Sequence, residues 1–294
     1  MGGDPLLKFC KYQGTGNDFI IVKQSEIDGV TYSSLAKNVC DRRFGIDADG
    51  MIVVAPSTVA DIRMIFYNAD GSIATMCGNG IRCFAKYVYD HGLVGQTSFS
   101  VETLAGVLRV ELMSMTNEES NVRVNMGCPC YVHPAVPKVT SDGKFINQTI
   151  ELEGEPYTIS SLFIGTIHTV MFVSEIDEKM ATHLGELIEN HAMYPQKTNV
   201  NFCRVIDPHH IEVLTWEKGV GLTLACGTGS AACAVLSKQL YQCDQSITVS
   251  IKGGTLLMEQ EEDGVYMTGP ARLICTGQYV YEESPQGEQD LDSF

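Results

Sequence analysis

Two stretches of this chain, MCGNGIRCFAKYV from Met76 and ACGTGSAACAVLS from Ala225, carry one device: a cysteine, a glycine-rich turn and an apolar run of helical character. Aligned on Cys77 and Cys226, Gly78 meets Gly227, Gly80 meets Gly229 and Ala85 meets Ala234. Nine residues before each cysteine a polar residue stands in a strand-then-turn context, Asn68 in FYNADGS and Glu217 in LTWEKGVG. A second pair of segments, GTGNDFIIV from Gly14 and GTIHTVMFV from Gly165, shares its Gly-Thr opening and Val22/Val173, setting Asn17 opposite His168. Two matches at nearly one spacing imply an ancient duplication and a fold made of two similar units. The length of 294 residues, above the roughly 100 to 200 of one domain, agrees.

Short β-branched runs dominate the rest: FIIV, GMIVV, IRMIFY, FSVET, GVLRVEL, NVRVNM, TIELEG, TVMFV, NVNFCRV, IEVLTW, SITVSI, GTLLMEQ and GVYMTG. Helical patterns are few, near Tyr32 to Cys40, after Cys77, around Met180 to His191 and after Cys226. The expected class is α+β with strands in the majority. The helices after the cysteines are apolar on many sides (Ile81, Phe84, Ala85 and Val88; Ala231, Ala232, Val235 and Leu236), which points to burial inside a curved sheet. GCPCYVHPAVPK from Gly127 reads as the linker, and 285–294 as a disordered acidic tail.

A formal charge of −16 argues against nucleic acid or an anionic membrane as a partner, since phosphate is held by clustered Lys and Arg. MGGDPLLKFCKYQ contains no signal-peptide core, and no apolar run approaches the roughly 20 residues of a membrane helix. The expected setting is cytoplasmic, where the eleven cysteines stay reduced.

A thiol at a helix N-terminus sits beside unpaired amides and the positive end of the helix dipole, which favour the thiolate. The glycines let those amides approach a ligand closely, so each turn is also a carboxylate or phosphate cradle. Two such turns facing each other across a cleft suit proton removal from one face of a bound carboxylate compound and delivery to the other. A Cys77–Cys226 disulfide is better read as an oxidised, inactive form than as a staple. No metal is expected: Cys128, Cys130 and His133 have Cys-x-Cys spacing and a proline-rich setting, and His209 and His210 read as a polar turn. GTGN at Gly14 lacks the third glycine of a dinucleotide fingerprint and precedes a strand, so no nucleotide cofactor is indicated.

Taken in order, KYQGTGNDFIIV, DRRFGIDADG, FYNADGSIATMCGNGIRCFAKYV, FSVETLAGVL, GTIHTVMFV, KTNVNF, WEKGVGLTLACGTGSAA and VYMTGPARLICTG resemble the diaminopimelate epimerase family along nearly the whole chain. The resemblance implies two pseudo-symmetric domains, each a curved, mostly antiparallel sheet wrapped around a central helix, with the last strand returning to the first domain, so that 1–127 with about 270–284 form one half and 128–269 the other. It implies a cofactor-independent two-base isomerase acting on LL- and meso-diaminopimelate in lysine and peptidoglycan precursor synthesis. One of Cys77 and Cys226 removes the α-hydrogen and the other protonates the opposite face. His168 and Glu217 flank the cysteines, orienting the substrate amine and tuning the base. Amides of Gly78, Asn79, Gly227 and Thr228 receive the α-carboxylate; Asn17 belongs to the reacting end, and Asn68 and Asn199 to the distal one.

The chain departs from the family pattern near the distal pocket. Lys218 stands where arginine is common, Thr166 where asparagine is common and Leu222 where glutamate is common. Lysine replaces a forked clamp by a point charge, and Thr166 loses an amide. An alternative is therefore a racemase of the same family for another amino acid such as histidine. A more distant one is a redox-responsive binding protein without turnover. The partner is a small amino acid, and exposed sheet edges suit a homodimer.

Overall fold

A computed structural model describes residues 6–281 apart from Asp28 and Val139. The expected tail, 285–294, lies outside the described residues. The chain divides into two compact units, one of residues 6–124 with 270–281 and one of residues 125–269.

In the first unit β1 (Leu6–Gly14) and β2 (Asn17–Lys23) form a hairpin, and helix α1 (Tyr32–Cys40) crosses over to β3 (Gly50–Ala55), which lies parallel to β2. Antiparallel β4 (Ile62–Asn68) and the short β5 (Ile73–Ala74) follow, then helix α2 (Gly78–Asp90). The unit continues with β6 (Ser98–Thr103), parallel to β4, and with antiparallel β7 (Gly106–Met115) and β8 (Glu119–Asn125).

After β9 (Phe145–Leu152), the second unit repeats this topology strand for strand. The hairpin is β10 (Glu155–Ile164) and β11 (Thr166–Phe172), and α3 (Glu178–Glu189) crosses to β12 (Asn199–Asp207), parallel to β11. Next come β13 (His210–Glu217), the short β14 (Gly221–Thr223), helix α4 (Gly227–Tyr241), β15 (Ser246–Ile251) parallel to β13, and β16 (Gly254–Glu261). The last strand, β17 (Gly264–Val280), begins in the second unit against β16 and ends in the first against β1. In the second unit β9 takes the corresponding place beside β10.

The fold is α+β, and burial shows how each unit is arranged. Every residue of α2 from Asn79 to Val88 is buried, as is α4 from Gly229 to Ser237, so each sheet curves round its helix. α4 fits with small residues, Ser230, Ala231, Ala232, Cys233 and Ala234. α2 instead brings Arg82 and Lys86 inside; Lys86 is satisfied by Asp90 at 2.9 Å and the Thr116 carbonyl at 3.1 Å. α1 and α3 cover outer sheet faces amphipathically, Leu35 and Val39 meeting Ile20 and Val53, and Leu184 and Ile188 meeting Val200 and Phe202.

Four strands were absent from the sequence reading, β1, β10 and the short β5 and β14. In β10 both Ser160 and Ser161 are buried, and Ser161 bonds Thr169 and Tyr194 at 3.0 and 2.8 Å, so a core strand is written partly in polar residues. The stretch read as a linker packs on the second unit. Cys130 and Phe163 exchange both backbone hydrogen bonds, His133 stacks on Phe163 at 3.8 Å, and Val136 enters the core.

Candidate active site

Cys77 is the N-cap of α2, half-buried, and its Sγ accepts the Gly80 amide at 3.4 Å. Around it runs a chain of amides. Asn79 Nδ2 donates to Asn17 Oδ1 at 2.7 Å, and Asn17 Nδ2 donates to Asp49 at 2.6 Å. Asn79 Oδ1 accepts from Thr15 at 3.2 Å and from Arg82 Nη2 at 3.0 Å. Arg82, 0% exposed, also donates to the Gly78 carbonyl at 3.0 Å and the Pro270 carbonyl at 3.2 Å. The sequence reading missed Arg82, Asp49 and Thr15; the one signal was an arginine inside an apolar helix. Asn68 closes β4 in the same unit, its Nδ2 donating to Ser72 Oγ at 2.9 Å.

Cys226 is the N-cap of α4, 8% exposed, with Thr228 Oγ1 3.6 Å from its sulfur. A Cβ on Gly229 would come within 2.2 Å of Asn201 Oδ1, so only glycine lets β12 and the start of α4 approach this closely. Asn201 donates to His168 Nδ1 at 3.2 Å and to the Thr169 carbonyl at 3.1 Å, and accepts from Thr215 at 3.0 Å. The Thr169 carbonyl fixes which end of the Asn201 amide donates, so His168 Nδ1 is an acceptor and its proton sits on Nε2. That Nε2, in a fully buried ring, has no hydrogen-bond partner among the described residues. Burial first, and the charge of Lys218 second, push the imidazole down to about 3, so it is neutral at physiological pH. The second unit thus offers a neutral, buried N–H to an acceptor.

Asn199 ties the remaining second-unit residues together. Its Nδ2 donates to the Ile167 carbonyl at 3.1 Å, next to Thr166 and His168, and its Oδ1 accepts the Lys218 amide at 3.1 Å. Glu217 ends β13, and the exposed Lys218 follows it. Gly165 reaches the start of α4, where a Cβ would lie 3.4 Å from the Thr228 side chain. Leu222 packs against the second-unit core instead of presenting a polar group. The structure therefore groups Cys77, Gly78, Asn79 and Asn17 in one unit, and Cys226, Gly227, Thr228, Thr166, His168 and Asn199 in the other. Cys128, Cys130 and His133 go separate ways, the two thiols donating to the carbonyls of Asp263 and Val132, each at 3.3 Å. No described helix is long and apolar enough to cross a membrane.

The sequence model of the family described as Diaminopimelate epimerase matches residues 9–132 and 161–274. Diaminopimelate epimerase of Caldanaerobacter subterraneus subsp. tengcongensis is 45% identical over 273 residues, covering 92% of this chain and 99% of that protein. The Clostridium perfringens protein of the same name is 41% identical over 276 residues, covering 94% and 100%. Among solved structures, a hydroxyproline epimerase from Agrobacterium vitis with bound trans-4-hydroxy-L-proline shares the fold with a TM-score of 0.70 at 14% identity, covering 98% of this chain and 96% of that one. A PhzF-family phenazine biosynthesis protein of Bacillus anthracis shares it with a TM-score of 0.63 at 15% identity, covering 94% and 99%. By family model and by relatives matched almost end to end, the chain belongs to the diaminopimelate epimerase family.

Proposed function

We propose that this protein is an isomerase that interconverts LL- and meso-diaminopimelate at one α-carbon without a cofactor, Cys77 and Cys226 serving as exchanging base and acid. The observation that carries the reading is a thiol at the N-cap of the buried central helix in each repeated unit of a chain from this family. In one direction a thiolate takes the α-hydrogen as the other thiol delivers its own to the opposite face. One S–H bond forms and one breaks, the substrate is inverted, and the protonation states of the cysteines are exchanged. The reverse turnover restores them, so the pair titrates as a coupled system.

The α-hydrogen is weakly acidic, and the negative charge that builds on the α-carboxylate needs fixed donors. The amides of Gly78, Asn79, Gly227 and Thr228 are assigned that task. Because His168 holds its proton on Nε2, it suits an anion, either the carboxylate or the thiolate of Cys226, and the substrate ammonium is left to Glu217. Asn17 is held between Asn79 and Asp49, which orients it for the reacting end. Asn68, Thr166, Asn199 and Lys218 are assigned to the distal amino acid group. Thiolate chemistry calls for a reducing compartment, so the cytoplasm is the setting proposed.

The test is deuterium wash-in at Cα in heavy water under reducing conditions, with LL-diaminopimelate, histidine and other L-amino acids offered separately. Exchange with diaminopimelate alone is the expected result. Exchange with a different amino acid would keep the cysteine mechanism and replace the substrate, and no exchange at all would sink the catalytic reading.

A further inference from the structure

Lys218 is the sequence's main departure from the family pattern, and the structure shows how its backbone is held. The turn from Glu217 to Gly221 closes through Val220 N–H to the Glu217 carbonyl at 3.0 Å, with Gly219 in the left-handed region at φ +76°. The Lys218 amide is taken by Asn199 and the Gly219 amide by Glu189 Oε1 at 3.0 Å. Glu189 ends α3, is 4% exposed, and also accepts Trp216 Nε1 at 2.7 Å and Lys197 Nζ at 3.0 Å. Burial alone would raise its pKa, but the bonds from Trp216, Lys197 and Gly219 hold the carboxyl below its usual range, so it stays charged. The Lys218 ammonium has no ion-pair partner among the described residues, and its charge is felt at His168.

The first unit holds the matching turn from its own crossover helix. Ser33 on α1 donates to the Gly71 carbonyl at 2.7 Å, and Gly71 is likewise left-handed at φ +79°. One unit uses a neutral hydroxyl, the other a buried carboxylate gripping both sides of the turn that carries Glu217 and Lys218.

We infer that Glu189 is a positioning residue that fixes where the Lys218 ammonium stands and so sets affinity for the carboxylate at the far end of the substrate. The inference rests on the proposed function and deepens it. A directional anchor matters here because Lys218 is a point charge on a flexible stem, without the fork that lets arginine align itself. A displacement of roughly 1 Å in a positioning group costs on the order of a hundredfold in the extreme.

The experiment compares Glu189→Gln, Lys218→Ala and the double variant. Glutamine keeps the volume but has one oxygen, so it cannot accept from Trp216, Lys197 and Gly219 together. The expected result for Glu189→Gln is a KM for diaminopimelate raised about tenfold with kcat changed less than threefold, and a double variant with the KM of Lys218→Ala alone, because both changes remove one interaction. Unchanged KM with only a lower melting temperature, or KM effects that multiply, would overturn the inference. A second measurement needs no substrate: tryptic cleavage after Lys218 should be at least fivefold faster in Glu189→Gln, and an equal rate would refute the anchoring. If the wild-type protein exchanges no deuterium into diaminopimelate, the functional reading fails, while the cleavage rates still decide whether Glu189 holds the turn.

Discussion

The two thiol turns share a topology and differ in how they are supported. Cys77 is half-buried, takes an amide hydrogen bond, and is backed by a fully buried arginine that gathers Asn79, Thr15 and two backbone carbonyls. Cys226 is buried, and the start of its helix lies against Asn201, which bonds a neutral histidine whose Nε2 has no partner among the described residues. Duplication kept the sulfur, the turn and the helix, which in the proposed mechanism set where a proton is given and taken. The polar groups behind the two turns diverged, an arginine in the first unit and an asparagine–histidine pair in the second.

The sharpest way to break this comparison is to remove the thiols one at a time. Cys77→Ser and Cys226→Ser should each lower kcat by about 10²- to 10⁴-fold, the range for a positioned acid or base. Full activity in either variant would end the two-base account. Iodoacetamide followed by mass spectrometry sharpens the contrast, since half-buried Cys77 should alkylate before buried Cys226.

Next in size is Arg82→Met, which takes the buried guanidinium from the carbonyls of Gly78 and Pro270 and leaves Asn79 Oδ1 with Thr15 in place of two donors. A loss of about 3 kcal/mol in urea unfolding is expected, since an unsatisfied buried acceptor costs ~1–3 kcal/mol. A loss under about 1 kcal/mol would show that water enters and replaces the guanidinium.

His168 should then appear as a pH effect. Its folded value near 3 lies below the ordinary 6.5, so between those limits the unfolded chain takes up a proton that the folded chain refuses. Stability should therefore rise with pH across this window, by up to about 1.4 kcal/mol per unit from this one group. Unfolding curves at pH 4.5 and 7 should show this component in the wild type and its loss in His168→Gln. Equal slopes in both proteins would mean the ring is protonated in the fold.

The smallest expected effect is Lys218→Arg. The guanidinium restores a forked donor on the same anchored turn, so KM for diaminopimelate should hold or fall by up to about threefold, at most about 0.65 kcal/mol. A marked rise would mean that the turn is shaped around the lysine.

Much of this molecule was legible in its residues because duplication writes every constraint twice. The cysteines, their glycines, the pairing of Asn17 with His168 and the strand-rich α+β class follow from spacing and periodicity, which are local properties. The helix at Tyr32–Cys40 matches its pattern end to end, whereas β10 was hidden because hydrogen bonding lets Ser160 and Ser161 take apolar places. Arg82, Asn201 and Glu189 were not legible for a related reason. Their partners lie far along the chain, at Pro270, His168 and Gly219. What the sequence by itself determined is the repeated turn and the thiol at its tip, set by short-range sterics and helix capping. What only the tertiary structure decided is which polar groups are buried and paired, because the cost of burying a polar group is met by partners that folding alone brings together.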